Sequence, residues 1–399
     1  MTLGQSVCKM MPTADFYIVL ADEPVDEGLP DWNIITVSDI DIDDLASQSF
    51  RYSVMEFATA IKPNCFKHFL ECLNYEAAIY LDPDIQLFAP LDRVDEAFRD
   101  GASSALTPHL LSPLRDGKSP SDLDILQSGT FNLGFAAFRN CDESDSFLSW
   151  WREKLRFHCY NDLRKGLFVD QKFADFAPSF LPSLHVIRDP GYNVAYWNLL
   201  NRPIIRDESG WRAGDAPLTF FHFSGVVPGN PGVFSKHQDR FSMDDVGAAG
   251  ELVTNYLGKL AANEHSKWSN VPYGYGHFRN GVTIPDIIRR APASKKQPSE
   301  WWEGFDTPYW GAPSERVDQE QDYVITRLML AVHDSRPDIQ EKFPLSSERG
   351  RRQFVNWFAV YGASDHRIDE EIRAACLPGA ARGRSRFARL RSRLSLFFS

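Results

Sequence analysis

The first half of the chain alternates short apolar runs with amphipathic segments, a pattern typical of an α/β domain. Seven runs rich in β-branched and aromatic residues predict buried strands, at 15–20, 33–37, 76–81, 103–109, 131–139, 184–188 and 218–224. Residues 53–73 predict a helix that Pro63 interrupts. Residues 143–158 predict a second helix, because Trp151 and Leu155 lie one turn apart on its apolar side. We therefore expect a mixed sheet flanked by helices.

The pattern changes after residue 240. Three segments with helical periodicity follow, at 244–263, 320–333 and 350–375, and residues 265–320 are rich in Trp, Tyr, Pro and Gly with little periodicity. We predict three parts: the α/β domain, a mainly helical accessory region and a basic amphipathic tail. Their predicted bounds are 1–240, 241–376 and 377–399.

Composition narrows the class of protein. The chain has 399 residues, of which 43% are hydrophobic, enough for one large domain with an accessory region or for two domains. Its net charge of −11 argues against nucleic acid as a partner. The six cysteines form no CxxC pair, which argues against a zinc knuckle or a disulfide framework and favours a reducing compartment. The N-terminus shows no signal-peptide pattern, and no apolar run is long enough to span a membrane, so we expect a soluble, cytoplasmic protein.

The C-terminal tail differs in charge from the rest of the chain. Residues 379–399 hold six arginines and no acidic residue, so the net charge of −11 becomes −17 when these six positive charges are left out. Phe and Leu interleave with the arginines, and helical placement puts several of them on one side. This favours peripheral docking to an anionic membrane surface, where each basic residue contributes about 1 kcal/mol. A basic tail without fixed structure, or a linker to a further domain, is the alternative interpretation.

Two carboxylates directly follow a predicted buried strand, in the stretch YLDPDI of residues 80–85. Asp82 and Asp84 are typical turn residues, and a plain turn is one interpretation. The other is a divalent metal site, because ligands of open α/β sheets bind beyond the carboxyl ends of strands and carboxylate oxygens suit Mn²⁺ or Mg²⁺.

Four short motifs occur in the order found in one enzyme family. After YLDPDI come FNLGFAAF at 131–138, VDQKF at 169–173 and FFHFSG at 220–225. Together they resemble nucleotide-sugar glycosyltransferases of the GT-A fold, and most of all the group of glycogenin and the bacterial lipopolysaccharide galactosyltransferases (family 8). The resemblance covers roughly residues 2–240 and implies a Rossmann-like mixed sheet. It also implies transfer of a sugar from a nucleotide-diphosphate donor, with retention at the anomeric carbon.

The resemblance assigns roles to individual residues. It implies that Asp82, which also contacts the donor ribose, binds Mn²⁺ or Mg²⁺ together with Asp84 and His222. A histidine satisfied within the core is the plain alternative for His222. The further donor-pocket and catalytic residues are Asn132 and Gly134, which would line the sugar pocket, and Asp170 and Gln171, which would face the transferred sugar.

The sequence departs from the family pattern in two places. The family follows its His-x-x-Gly motif with a lysine that contacts the diphosphate, but Pro228 stands at that position here. The candidate replacements are Lys236, its basic neighbours His237 and Arg240, and Lys62 from the helix before the strand that ends at Asp82. The alternative is that these are solvated surface charges. The second departure is at the start, where a helix-like segment precedes the strand at 15–20. The first strand of the fold, which holds the nucleobase, is therefore expected to be missing, and we predict roughly fifteen to twenty further residues upstream.

The acceptor is expected to bind near a second group of residues. Asn193, Trp197 and Asn198 belong to an aromatic and amide-rich stretch that suits the C–H faces and hydroxyl groups of a sugar, although a core cluster would look similar. His109 precedes the polar stretch 110–125, which predicts a mobile loop over the substrate. The predicted function is transfer to a glycan or lipid-linked acceptor in cell-surface polysaccharide synthesis. A nucleotidyltransferase and a non-catalytic sugar- or nucleotide-binding module are the alternatives.

Overall fold

The computed structural model of the protein describes residues 1–22, 31–290, 303–320 and 323–362, together with Ile368 and Ile372. The predicted tail at 377–399 lies outside these residues, so its membrane docking stays a prediction. Within the described residues, no helix combines the length and the apolar character needed to cross a bilayer.

The strands of the described residues are β1 Tyr17–Leu20, β2 Asn33–Thr36, β3 Ala77–Leu81, β4 Ile85–Leu87, β5 Ser104–Pro108, β6 Phe131–Arg139, β7 Asn161–Asp162, β8 Leu167–Phe168, β9 Leu184–Val186, β10 Ile204–Asp207, β11 Gly210–Ala213, β12 Ala216–Pro217 and β13 Phe220–His222. The helices are α1 Thr2–Met10, α2 Leu45–Arg51, α3 Val54–Ala60, α4 Lys62–Lys67, α5 Asp92–Arg99, α6 Asp122–Ser128, α7 Asp142–His158, α8 Ala177–Phe180, α9 Ala248–Ala262, α10 His265–Trp268, α11 Asp286–Arg289, α12 Thr307–Gly311, α13 Arg327–Ser335, α14 Pro337–Lys342 and α15 Glu348–Trp357.

The central sheet is mixed, as predicted. Its strand order is β3-β6-β5-β9, in which β6 pairs antiparallel with both β3 and β5, and β5 pairs parallel with β9. The long strand β6 is buried along almost its whole length, which explains why its sequence is a nearly continuous apolar run. Two further pairs are the parallel β1 and β2 and the antiparallel β4 and β13.

Two hydrophobic clusters support this sheet. In one, Leu3 and Val7 of α1 pack with Ile85 and Leu87 of β4 and with Phe135 of β6. The second cluster joins the apolar side of α9 to the strands around residues 204–223. Both clusters include residues of the strand pair β4 and β13. Close-packed side chains therefore fix the position of the turn that precedes β4.

The chain divides into two compact units. One comprises residues 1–43 and 56–272, and the other comprises residues 44–55 and 273–399. In the second unit, Arg289 donates to the carbonyl oxygens of Phe50 (2.7 Å) and Tyr52 (3.1 Å) at the end of α2. These hydrogen bonds satisfy acceptors that the helix end leaves open. The predicted boundaries at residues 240 and 376 stay predictions.

Several element predictions need correction. The helix predicted at 53–73 is divided at Ile61, and Pro63 lies in the first turn of α4, where its missing N–H costs nothing. The loop predicted at 110–125 ends earlier, because α6 begins at Asp122 with Ser121 as its capping residue. The helix predicted at 320–333 begins only at Arg327. The first described element is α1, and the prediction of a strand upstream of it stays a prediction.

Candidate metal and donor site

The two aspartates lie on a tight turn between β3 and β4. Strand pairing continues past the end of β3, because the amide of Asp82 donates to the carbonyl of Gly134 at 2.8 Å. The amide of Ile85 then donates back to the carbonyl of Asp82 at 3.0 Å, which closes the turn around Pro83. The side chains of Asp82 and Asp84 remain 28% and 39% exposed. Both carboxylates therefore stay accessible at the edge of a rigid sheet.

Strand pairing brings His222 to these carboxylates. In the antiparallel register of β4 and β13, His222 lies opposite Ile85, and the amide of Phe223 donates to the carbonyl of Asp84 at 2.8 Å. The Nε2 atom of His222 lies 3.0 Å from Oδ1 of Asp84 and 3.7 Å from Oδ2 of Asp82. One ligand atom from each of the three residues lies within 4.8 Å of the others, a spacing at which a single divalent cation could contact all three.

The orientation of the His222 ring is set by Asn193. The Nδ1 atom of His222 faces the side-chain oxygen of Asn193 at 3.3 Å. The amide nitrogen of Asn193 points away from the ring and donates to Oγ1 of Thr107 (2.8 Å) and Oδ1 of Asn132 (3.0 Å). Because an amide oxygen only accepts, this hydrogen-bond network assigns the proton of a neutral ring to Nδ1. The lone pair of Nε2 then faces the two carboxylates, as a metal ligand requires.

The pKa values of Asp84 and His222 depend on each other, because each side chain stabilises the charged form of the other. Partial desolvation opposes ionisation of Asp84, but the imidazole of His222 more than offsets it, so the pKa of Asp84 lies below its ordinary value. Burial alone would lower the pKa of His222, yet the carboxylates of Asp84 and Asp82 raise it. The two carboxylates thus favour a proton on His222, and a cation bound at the same place would compete with that proton.

A buried lysine stands behind the cluster. The Nζ atom of Lys62 lies 2.9 Å from Oδ2 of Asp170 and 3.7 Å from Oδ1 of Asp82, and it donates to the carbonyl of Leu133 at 2.9 Å. The side chains of Lys62 and Asp170 are only 4% and 2% exposed. Burial alone would lower the pKa of Lys62, but these two carboxylates raise it, so the ammonium keeps its proton. The hydroxyl of Tyr80 donates to Asp82 at 2.6 Å and fixes the same carboxylate from the other side.

Gly134 is placed beside the imidazole. A Cβ atom at this position would lie 2.4 Å from Cε1 of His222 and 2.8 Å from Oδ1 of Asn132, closer than any real contact. The sequence led us to expect that this glycine makes room for a pyranose. In the structure, the space beside it holds the ring of His222, so glycine is required here for the ring to reach the two aspartates.

Asp170 and Gln171 connect the cluster to its surroundings. Gln171 accepts from the amide of Leu133 at 3.1 Å and from the side chain of Asn132 at 3.3 Å, and it donates to the carbonyl of Ser128 at 2.9 Å. Asp170 faces Lys62, as described above. Both side chains are buried and engaged with protein neighbours, and their predicted catalytic role stays a prediction.

The residues predicted to contact the acceptor are all buried. Asn193 and Trp197 contact His222 directly. Asn198 lies one layer further away and donates to the backbone carbonyls of His109 (3.1 Å) and Asn193 (2.9 Å). The ring of Trp197 meets the rings of His109 and His222 edge to face, with centroids 5.3 and 5.2 Å apart. In this structure the four residues lie behind the group formed by Asp82, Asp84 and His222, and acceptor contact stays a prediction for them.

The candidate diphosphate lysines differ in their surroundings. Lys62 lies within the cluster, whereas Lys236 is exposed and, within the described ranges, forms no ion pair. Arg240, also considered from the sequence, is buried and held by Asp116 and by the carbonyl of Pro120 at 3.0 Å. Donor contact by Lys236 stays a prediction.

Comparison with known proteins gives few relatives. No protein-family model matches the chain. The uncharacterized protein YfnD of Bacillus subtilis (strain 168) is 27% identical over 175 residues, which cover 43% of this chain and 54% of YfnD. The chain thus spans about half the length of the curated relative it matches.

Solved structures similar to the chain include two glycosyltransferases. One is the galactosyltransferase LgtC in complex with donor and acceptor sugar analogs, with 15% identity and a TM-score of 0.38, covering 65% of this chain and 90% of LgtC. The other is mouse xyloside xylosyltransferase 1 in its apo form, with 13% identity and a TM-score of 0.25, covering 48% and 74%.

Two features of the site were not expected from the sequence. The contact between Asn193 and His222 joins residues 29 positions apart, and Asn193 adopts a left-handed backbone conformation with φ of 52°. The pairing of Lys62 with Asp170 joins two residues that were predicted to have separate roles. Asparagine tolerates positive φ better than most residues, and Asn193 lies in a turn-rich stretch. This was the sequence signal for the contact between Asn193 and His222.

Proposed function

We propose that this chain is a metal-dependent glycosyltransferase that moves a sugar from a nucleotide-diphosphate donor to a glycan or lipid-linked acceptor. The observation that carries the proposal is the convergence of Asp82, Asp84 and His222 on one point, fixed by the backbone pairing of two strands. Two carboxylates and one neutral imidazole at the open edge of a sheet are a ligand set suited to Mn²⁺ or Mg²⁺.

The arrangement fits the charge that such a reaction develops. Breaking a sugar–phosphate bond leaves negative charge on the departing diphosphate, and a bound cation would supply Lewis-acid stabilisation of that charge. The chain itself orients the ligands: Tyr80 and Lys62 fix Asp82, while Asn193 fixes His222. Lys62 also adds positive charge behind the cluster, in a protein that is acidic overall.

The proposal includes retention at the anomeric carbon. An inverting enzyme needs a carboxylate that accepts a proton from the acceptor hydroxyl. Asp170, the predicted candidate for that base, is 2% exposed and already faces the ammonium of Lys62. A carboxylate neutralised in this way favours the retaining course, in which no strong base is required. NMR of the anomeric proton of the product distinguishes the two courses.

Turnover of a panel of nucleotide sugars with Mn²⁺ tests the proposal. Asp84→Asn is expected to lower turnover by about 100-fold or more, because it removes one ligand and its charge while leaving the backbone of the turn intact. Asp100→Asn, an exposed aspartate at the end of α5, is the matched control and should retain full turnover. Circular dichroism of both variants verifies the fold.

The product pattern separates the alternatives. Release of a nucleoside diphosphate together with a glycosylated acceptor supports the proposal. Release of pyrophosphate would identify a nucleotidyltransferase instead. A donor that binds in the presence of Mn²⁺ and is never turned over, with any acceptor class supplied, would identify a non-catalytic binding module.

A further inference from the structure

A small pocket lies between β4, β11 and α9, apart from the metal cluster. Its volume is about 240 Å³, and its lining residues are Gln86, Phe88, Trp211, Leu252, Asn255 and Lys259. Ile85 and Leu87 point into the core, so the side chain of Gln86 between them points the other way, toward α9. Gln86 follows Asp84 by two residues, which places the start of the pocket about 7 Å along the strand from the cluster.

Hydrogen-bond donors in this pocket lack acceptors. The Nζ atom of Lys259 donates to the side-chain oxygen of Gln86 at 3.0 Å, which leaves the amide nitrogen of Gln86 without a partner among the described residues. Across the same part of the chain, no carboxylate lies within 4 Å of Lys259, and the side-chain amide of Asn255 and the indole N–H of Trp211 form no hydrogen bond. The pocket therefore offers several donors to a ligand that is rich in acceptors.

The pocket is lined by one positively charged side chain, that of Lys259, although the protein is acidic. Partial burial and, to a smaller degree, the positive charge of Lys9 on α1 lower the pKa of Lys259. Arg206 lies over the ring of Trp211 at 5.1 Å and pairs with Glu251, the acidic neighbour on α9. Of the six lining residues, Lys259 is the one that carries a charge, and the pair of Arg206 and Glu251 beside Trp211 has no net charge. The pocket therefore favours a ligand with one negative charge.

The opposite wall of the pocket is apolar. The rings of Phe88 and Trp211 meet edge to face with centroids 6.4 Å apart, and Leu252 is buried beneath them. Half-buried aromatic rings beside amide groups are the surface that a pyranose requires, because a sugar presents C–H faces and hydroxyl edges. A volume of about 240 Å³ admits one such ring and is small for a nucleotide sugar.

We infer that this pocket binds a single sugar unit that carries a carboxylate, such as a hexuronate. The carboxylate would accept from Lys259 and from the free amide nitrogen of Gln86, and the ring would pack on Trp211 and Phe88. This inference concerns a second site and does not depend on the proposed transfer reaction. An acidic glycan held here would be anchored about 7 Å from the cluster of Asp82, Asp84 and His222.

Ligand-observed NMR on the full chain tests the inference. Glucuronate and galacturonate are titrated in EDTA, so that metal at Asp82, Asp84 and His222 cannot contribute, and glucose, acetate and inorganic phosphate are titrated in parallel. Both uronates should show saturation transfer and a measurable Kd. Lys259→Met should weaken them at least about tenfold, the loss of one charge-assisted hydrogen bond.

Two further variants make the result specific. Trp211→Leu should reduce saturation transfer to the ring protons of the uronates, with the fold verified by circular dichroism. Lys267→Met is the matched control, because Lys267 is also an exposed lysine near an indole ring, 4.6 Å from that of Trp268. It should leave the uronate Kd unchanged within twofold.

Each remaining outcome overturns the inference. Phosphate or acetate binding as tightly as the uronates, in competition with them, would make this a plain anion site. Glucose binding as tightly as glucuronate would remove the role of the carboxylate. Absence of uronate binding, or binding that Lys259→Met leaves unchanged, would show that the pocket is not the site. Because no donor, acceptor or metal is present, none of these results bears on the proposed transferase.

Discussion

Asp84 and Asp170 are the same residue type in two contrasting environments within one unit. Asp84 is 39% exposed on a turn, beside a second carboxylate and a histidine. Asp170 is 2% exposed and faces Lys62 at 2.9 Å. A buried charge requires a partner supplied by the chain. An exposed pair of like charges is stabilised by solvent and can bind a cation from solution. The contrast separates a structural ion pair from a candidate ligand site.

The largest expected effect comes from removing the partner of Asp170. Lys62→Met should lower the free energy of unfolding by about 3–5 kcal/mol, because it leaves an uncompensated charge in the interior. Lys67 is 14% exposed, but its partners Glu71 and Asp145 are 45% and 54% exposed and stay solvated without it, so Lys67→Met should cost clearly less, about 1 kcal/mol. Urea unfolding monitored by circular dichroism measures both.

A double variant tests whether the stability lost in Lys62→Met comes from the unpaired charge of Asp170. Lys62→Met combined with Asp170→Asn removes both charges and should recover most of the lost stability. Equal losses for the Lys62 and Lys67 single variants, or a double variant no more stable than Lys62→Met, would show that the pair is not what holds Asp170.

His109 is a buried basic residue that stays neutral, in contrast to the charged ion pair of Lys62 and Asp170. Burial lowers the pKa of His109 to about 4, from an ordinary value of 6.5, so this ring stays neutral in the folded protein at mildly acidic pH. Between these two values the unfolded chain binds a proton and the folded chain does not. Stability is therefore lost as pH falls from about 6.5 toward 4, by roughly 3 kcal/mol for this one group.

Comparison with His109→Gln isolates this contribution. The variant lacks the titrating ring, so its free energy of unfolding should fall less steeply than that of the natural sequence over the same pH range. Parallel pH profiles for the two proteins would mean that His109 is protonated in the folded state and that the site tolerates its charge.

The sequence predicted what depends on local pattern. Continuous apolar runs predicted β3 and β6, and the structure confirms both strands. Carboxylates at the end of β3 predicted a polar turn at the sheet edge, since such residues cannot continue a buried strand. Their position was therefore readable from a few neighbouring residues.

Other features depend on pairing between distant parts of the chain. Strand β4 has three residues, too few for a periodic signal, and it is defined by its pairing with β13 more than 130 positions later. The burial of Lys62 was not readable either, because a lysine on a helix is ordinarily solvated and its partner Asp170 follows much later. The need for glycine at 134 arises only once the ring of His222 occupies the adjacent space.

The smallest expected effect concerns the residue that orients His222. Asn193→Gly removes the side-chain oxygen that faces Nδ1, and glycine accepts the φ of 52° found at this position without strain. Mn²⁺ affinity, measured by electron paramagnetic resonance, should fall about tenfold, in the range typical for the loss of a hydrogen bond to a ligating histidine. The nitrogen coupling of the bound Mn²⁺ should weaken as well, because the ring is no longer held toward the carboxylates.

Asn198→Ala is the matched control for the loss of a buried amide. Its side chain donates to the carbonyls of His109 and Asn193 and accepts from the amide of Ala195, and none of these hydrogen bonds involves His222. Stability should fall in both variants, but Mn²⁺ affinity should change less than about twofold in Asn198→Ala. Equal losses of affinity would mean that general loosening of the buried network, and not the orientation of one ring, controls the cluster. An unchanged nitrogen coupling in Asn193→Gly would show that the strand pairing of β13 alone is sufficient to aim His222 at the two aspartates.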